Sequence, residues 1–210
     1  MTRPAEPTLA LLRERLGGTH PAGDPVSVVL PPGSEAWPAD LRDRLTSGLK
    51  PAGVLIPVIE RDAGLVVLLT RRAAALRIHA GQVAFPGGGM APGDGNIVET
   101  ALRETREEVG IRPDDVAILG CLDAMPTITG YAVTAIVGNV SPAVRIVTDP
   151  AEVAFAFEVP LAFLMDAGNV HTSMREVHGR ILPVVEFLYD GHRIWGATAN
   201  MLLKLKEKLA

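Results

Sequence analysis

The chain has 210 residues and a mass of 22.2 kDa, enough for one domain with a sizeable hydrophobic core. Hydrophobic residues make up 48% of it and charged residues 21%, which excludes wholesale disorder. A net charge of −4 argues against nucleic acid and membrane surfaces as partners. The single cysteine, Cys121, excludes an internal disulfide and a cysteine-rich zinc site. With no signal-peptide core or membrane-length apolar run, we expect a soluble, cytoplasmic protein.

Residues 1–50 are predicted to form an N-terminal extension that is partly helical. Leucines recur over Leu9–Leu16 and end at Gly17-Gly18, which indicates one short helix, and a second is expected over Ala39–Leu49. A segment rich in proline and glycine connects them. We interpret the extension as a packing arm or a dimer contact, and place the main domain at residues 51–210.

The main domain combines strands and helices. Short runs rich in β-branched and aliphatic residues predict the strands, and Asp190-Gly191 marks a tight hairpin turn between the last two. The predicted strands are Val54–Ile59, Leu65–Thr70, Val83–Phe85, Val116–Leu122, Ala132–Val140, Ile181–Tyr189 and His192–Trp195. Helices are predicted from Asn96 to Val109 and from Thr198, as N-cap, to Leu209. This uneven alternation favours an α/β fold with a mixed sheet and helices on both faces.

The first of these helices carries clustered carboxylates. Glu107 and Glu108 follow Glu104 by three and four residues, so the three side chains share one helix face. They would repel one another unless a cation bound them, and Mg²⁺ prefers such oxygen ligands and bridges them to substrate phosphates. The glycines at 87–89 let the backbone approach a metal or a phosphate closely. The pattern therefore predicts a site for a metal-bound diphosphate.

A solvated charged helix is the alternative reading. In that case Arg103 and Arg106 would simply offset the glutamates. The glycine-rich loop before the helix and Gly110-Ile111 after it favour the metal site instead.

The segment Arg103-Glu104-Thr105-Arg106-Glu107-Glu108-Val109-Gly110-Ile111 resembles the second half of the Nudix box. Thr105 stands at an apolar position of that box, Gly95 stands where it has its first glutamate, and Glu99 is out of register. The resemblance implies a Nudix-type α/β/α sandwich with a mixed sheet. It also implies that Glu104, Glu107 and Glu108 bind Mg²⁺ or Mn²⁺ and that Arg103 orients the glutamates. The carbonyl of Gly88 or Gly89 would add a further metal ligand.

A second motif stands upstream, as Leu68-Leu69-Thr70-Arg71-Arg72-Ala73, Arg77, Gly81 and Phe85-Pro86-Gly87-Gly88. Its spacing is similar to the additional signature of the coenzyme A pyrophosphatase branch of Nudix hydrolases. That branch commonly lacks the first glutamate of the box. The resemblance implies a homodimer that hydrolyses coenzyme A, or a derivative of it, to 3′,5′-ADP and 4′-phosphopantetheine.

Two roles stay open within that reading. Arg72 and Arg77, with Gly87 and Gly88, are the candidates for substrate binding, since arginine donates two hydrogen bonds to a phosphate; alternatively, the arginines pair with the glutamates of the box. The general base is Glu104 or Glu152, the latter in a loop after Asp149-Pro150. Glu152 could instead be an ordinary solvated residue.

Two other functions are alternatives to coenzyme A hydrolysis. ADP-ribose hydrolases often have a proline some fifteen residues past the box, where this chain has Pro126. A Nudix-fold binding module without catalysis is the other rival. Such modules typically lose glutamates of the box, and all three are present here.

Overall fold

The computed structural model of the protein describes residues 6–30, 34, 38–76, 79–177 and 180–210. Arg77, a candidate for substrate binding, lies outside the described residues. The helices are α1 (Leu9–Leu16), α2 (Ala39–Thr46), α3 (Ile97–Val109), α4 (Leu161–Met165) and α5 (Gly196–Leu209). The strands are β1 (Lys50–Arg61), β2 (Gly64–Arg72), β3 (Val83–Ala84), β4 (Gly87–Gly89), β5 (Val116–Cys121), β6 (Met125–Pro126), β7 (Tyr131–Val140), β8 (Val153–Pro160), β9 (His171–Val177), β10 (Arg180–Tyr189) and β11 (His192–Trp195).

A mixed sheet forms the centre of the molecule, as the sequence predicted. β1 runs parallel to β7 and antiparallel to β2 and β4. β2 also pairs with β8, and β7 with β5. A separate antiparallel sheet has the order β11-β10-β9.

The alternation of side chains along β1 gives the sheet two apolar faces. Leu55 and Ile59 pack with residues of α3, including Ile97 and Val109. Ile56 and Val58 face the opposite way, into the largest core cluster, which also receives residues of α1, α4 and α5. Helices therefore cover both faces of the sheet.

The N-terminal segment contributes directly to that larger cluster. Leu12 and Leu16 of α1 are fully buried in it. The Thr19 hydroxyl accepts a hydrogen bond from the Cys121 N–H at 2.8 Å, which ties the end of this segment to β5. The part of residues 1–50 that contains α1 is therefore packed on the rest of the fold.

Some elements differ from the prediction. The final helix begins at Gly196 with Trp195 as N-cap, and not at Thr198. Thr198 is buried, and its hydroxyl donates to the Val83 carbonyl at 3.1 Å, so a tertiary contact uses the group that could have capped the helix. The short or weakly patterned strands β4, β6, β8 and β9 were not predicted. No described helix is long and apolar enough to cross a membrane.

Candidate active site

The helix α3 is held at both ends by local contacts. The Asn96 side chain caps its N-terminus by accepting from the N–H groups of Val98 and Glu99, each at 3.0 Å. Gly110 ends it in the left-handed conformation, with φ of 74°. On β1, a Cβ at Gly53 would lie 2.5 Å from the Ile97 carbonyl oxygen, so only glycine allows the helix to pack this closely. The acidic face is thereby fixed beside β4.

The glycine strand β4 presents bare backbone to that acidic face. A Cβ at Gly88 would lie 2.5–2.7 Å from the carboxylate atoms of Glu104. Gly87 has φ of 152°, and its Cβ would lie 2.4 Å from the Gly53 carbonyl oxygen. Glycine is therefore required at position 87 by the backbone of β1, and a side chain at position 88 would displace the Glu104 carboxylate.

The backbone direction in β4 distinguishes the two candidate carbonyls. The hydrogen bonds from Leu55 N–H to Pro86 O and from Met90 N–H to Pro51 O set the alternation of the antiparallel ladder. In that alternation Gly88 forms a hydrogen-bonded pair with Gly53, so the carbonyl of Gly88 points toward β1. Gly89 turns its carbonyl toward α3, where it accepts from Arg103 Nη2 at 3.3 Å.

Arg103 links most of the polar groups of the site. Its Nη1 donates to Glu107 Oε2 and contacts Glu104 Oε1, both at 2.9 Å. Its Nε and Nη2 donate to the two carboxylate oxygens of Asp94 at 2.8 and 3.0 Å. The structure thus places the Arg103 guanidinium against the carboxylates of Glu104 and Glu107.

Asp94 was missed by the sequence analysis. It stands one residue before Gly95, the position at which the box has its first glutamate. Its side chain is 5% exposed, and its two-point contact with Arg103 holds the pKa of its carboxyl well below the usual range. The Glu99 carboxylate does not join this contact and instead accepts a hydrogen bond from the Gly95 N–H at 2.9 Å. The sequence signal that could have identified Asp94 was an acidic residue directly before Gly95.

Glu108 is the most buried carboxyl of the acidic face. Its side chain is 3% exposed, and burial raises its pKa to about 7, although the positive charge of Arg72 and a hydrogen bond from Gly87 oppose the shift. Arg72 Nη1 lies 3.6 Å from Glu108 Oε1, and the Gly87 N–H donates to Oε2 at 3.4 Å. Arg72 Nε is buried and has no hydrogen-bond partner in the part of the chain that the structure describes.

Glu152 reaches the same region from another part of the chain. The Asp149 N–H donates to the Glu108 carbonyl, and the Ala73 N–H donates to the Glu152 carbonyl, which holds the loop against α3 and the end of β2. Burial raises the pKa of Glu104, and the charge of exposed Glu152 raises the pKa of Glu104 and Glu108 further. Glu158, on β8, pairs instead with Arg61 at 2.6 Å.

The donor set of this site fits a hard divalent cation. It offers carboxylates from Glu104, Glu107 and Glu108 beside the bare backbone at Gly88, and such cations prefer oxygen ligands. Among the described residues, no three acidic or histidine side chains converge at metal-binding distance. Glu104 and Glu107 are directed to Arg103, whose charge offsets their repulsion.

The chain is similar to several known proteins. The NUDIX domain profile matches residues 49–182. The uncharacterized Nudix hydrolase NudL of Photorhabdus laumondii is 42% identical over 166 residues, which cover 79% of this chain and 88% of that protein. The NudL protein of Cronobacter sakazakii is 41% identical over 155 residues, which cover 73% and 80%. A C. elegans Ap4A hydrolase structure aligns over 52% of this chain and 80% of its own, at 20% identity and a TM-score of 0.46.

The chain therefore belongs to the Nudix family. It is a Nudix hydrolase, an enzyme of a family that acts on small molecules and generally needs divalent metal ions such as Mg²⁺ or Mn²⁺.

Proposed function

We propose that this enzyme hydrolyses the diphosphate of coenzyme A or of its derivatives, giving 3′,5′-ADP and a 4′-phosphopantetheine product. One observation carries the proposal: the upstream motif and the Nudix box meet at one carboxylate. Arg72 and Gly87 of the upstream motif both contact Glu108 of the box. The motif typical of the coenzyme A branch is thus part of the candidate active site.

The metal ligands in this proposal are Glu104, Glu107 and Glu108, with a backbone carbonyl from Gly88 or Gly89. The alternation of β4 favours Gly89. A bound divalent cation would supply charge neutralisation at the diphosphate and make water a better nucleophile. Arg103 then keeps Glu104 and Glu107 in position, because its planar guanidinium contacts both.

The hydrolysis breaks one P–O bond and adds water across it. Glu152 is the proposed base that accepts the proton of the attacking water, since its loop lies against both the acidic helix and the end of β2. Glu104 is the alternative base, since burial has already raised its pKa.

Arg72 is the proposed contact to a phosphate group of the substrate. It lies on the Glu108 side of the sheet, and its buried Nε has no hydrogen-bond partner among the described residues. A phosphate oxygen is a strong acceptor for such a donor.

Product analysis by mass spectrometry tests the proposal. Coenzyme A, 3′-dephospho-coenzyme A, ADP-ribose, NADH and nucleoside triphosphates are each incubated with the enzyme and Mg²⁺ or Mn²⁺, with Glu107→Gln as the inactive control. We expect the highest kcat/KM for coenzyme A compounds, with 3′,5′-ADP as product. A higher kcat/KM for ADP-ribose would contradict the proposal.

Pro126, the residue on which the ADP-ribose alternative rests, is buried in the sheet and pairs with Ala132.

A further inference from the structure

The Asp94 carboxylate accepts several hydrogen bonds, both from Arg103 and from the turn before α3. One carboxylate oxygen accepts from Arg103 Nε, and the other accepts from Arg103 Nη2, the Ala91 N–H at 2.8 Å and the Thr100 hydroxyl at 3.0 Å. The side chain is almost fully buried. A buried carboxylate that meets a guanidinium at two points fixes the plane of that guanidinium.

The same guanidinium reaches the acidic face of α3 from its other side. Nη1 lies 2.9 Å from both Glu104 Oε1 and Glu107 Oε2. One rigid group thus connects Asp94 to two of the three proposed metal ligands. Any rotation of Arg103 would move its Nη1 away from those carboxylates.

We propose that Asp94 is a positioning residue of the metal site, in place of the glutamate that the box lacks at position 95. It anchors Arg103 at the geometry that presents Glu104 and Glu107 side by side. It also balances the arginine charge, so that the guanidinium does not hold the two glutamates in competition with an incoming cation. The inference rests on the metal role proposed for those glutamates.

A purely structural role is the alternative that the test must separate. Through the Ala91 N–H, Asp94 also closes the turn before α3. In Asp94→Asn the amide oxygen can still accept from that N–H and from Arg103 Nη2. The amide nitrogen then faces Arg103 Nε, and because it cannot accept a hydrogen bond, the two-point contact is lost.

The experiment measures Mn²⁺ affinity from the electron paramagnetic resonance signal of free Mn²⁺, and stability from urea unfolding in EDTA. Glu99→Gln is the matched control, because it removes one negative charge from an exposed residue in the first turn of α3, whose carboxylate accepts from Gly95 and Asn96 rather than from Arg103. The rescue variant is Asp94→Asn with Gly95→Glu. A Cβ at Gly95 would meet only the flexible end of Glu99, at 3.0 Å.

We expect Asp94→Asn to weaken Mn²⁺ binding by ~10–100-fold, the usual effect of losing a group that orients a metal ligand. Glu99→Gln should bind like the wild type, and Gly95→Glu should recover most of the lost affinity, because the longer side chain offers Arg103 a carboxylate from the next residue. Equal affinity of Asp94→Asn and Glu99→Gln would overturn the proposal, as would failure of the rescue.

A second variant covers the case in which Asp94→Asn does not fold. In Arg103→Lys the charge is retained, but a single ammonium group cannot meet Asp94 at two points and also contact both glutamates. We expect a comparable loss of Mn²⁺ affinity, and an unchanged affinity would overturn the proposal. Wild-type protein that bound no Mn²⁺ would contradict the metal site itself, and with it the role of Asp94.

Discussion

At the scale of single residues, Glu108 shows how position changes the chemistry of a common side chain. The three glutamates of α3 are alike in sequence, but Glu107 is 57% exposed while Glu108 is 3% exposed. Burial disfavours the charged form, so Glu108 titrates near neutral pH. Ionising Glu108 without a bound cation is therefore costly, because its carboxylate is buried.

This titration predicts how the stability of the metal-free protein depends on pH. The pKa of Glu108 rises from 4.5 to about 7 on folding, so between those values the folded state holds the additional proton. The contribution of Glu108 to the free energy of unfolding should therefore be greatest below pH 4.5 and fall by up to about 3 kcal/mol as the pH rises to about 7. Urea unfolding in EDTA across this range would measure it.

Glu108→Gln is the comparison for that experiment. It should flatten most of the decline, with a smaller slope left by Glu104, whose pKa is also raised by burial. Parallel curves for the two proteins would show that Glu108 does not carry the effect.

Glu152 supports a second prediction at this scale. If its carboxylate accepts the proton of the attacking water, Glu152→Gln should lower kcat by ~10²–10⁴-fold and leave Mn²⁺ affinity nearly unchanged. The acid limb of the pH–rate profile should change as well. Steady-state kinetics with coenzyme A would measure both.

Glu158→Gln is the matched control for Glu152→Gln, because it removes the same charge from the same part of the chain but its partner is Arg61. Turnover of Glu152→Gln at the level of this control would transfer the role of base to Glu104.

At the scale of elements, the strand β4 places the site. It is only three residues long, but it pairs with β1 beneath the acidic face of α3. Its glycines leave space that the Glu104 carboxylate occupies. The distance between strand and helix therefore determines whether that carboxylate can take up its position.

We predict that Gly88→Ala lowers both Mn²⁺ affinity and kcat, because the new Cβ would lie about 2.5 Å from Glu104 and displace its carboxylate. Gly93→Ala is the control, since a Cβ there has no neighbour within 4 Å. Calorimetric titration with Mn²⁺ and steady-state kinetics would compare the two. Equal behaviour of both variants would show that Glu104 can move at no cost.

At the scale of the whole molecule, the N-terminal segment shares the core of the main domain. Leu12 and Leu16 pack in the same cluster as residues of β1 and α5. Helix α1 also meets α5 at its surface, where Arg15 Nη2 donates to the Ala210 carbonyl at 3.2 Å. We expect this segment to unfold together with the domain.

Leu16→Ala should therefore lower the free energy of unfolding by ~2–5 kcal/mol within a single transition. Glu14→Ala, an exposed change in the same helix, should have little effect. Chemical unfolding followed by circular dichroism and by tryptophan fluorescence would test this. A separate early transition in Leu16→Ala would identify residues 1–50 as an independent appendage.

The helix α3 and its acidic face were predictable because their signals are local. The spacing of Glu104, Glu107 and Glu108, the apolar face and Gly110 all lie within one element, so the period of the helix was sufficient to assign them. The strand β8, which pairs with β2, was missed because its residues show no regular alternation of buried and exposed positions. Thr198 was assigned wrongly because its hydroxyl meets the Val83 carbonyl, a contact that no local pattern contains.

The sequence by itself determined the mixed α/β fold and the shared helix face of Glu104, Glu107 and Glu108, since both follow from the periodicity of side chains along strands and helices. Only the tertiary structure decided which charges meet. It paired Arg72 with Glu108, brought Asp94 rather than Glu99 to Arg103, and placed the loop of Glu152 against the acidic helix. The physical reason is that burial and ion pairing depend on distances between elements, which the packing of α3 on β1 and β4 sets and the order of residues alone does not.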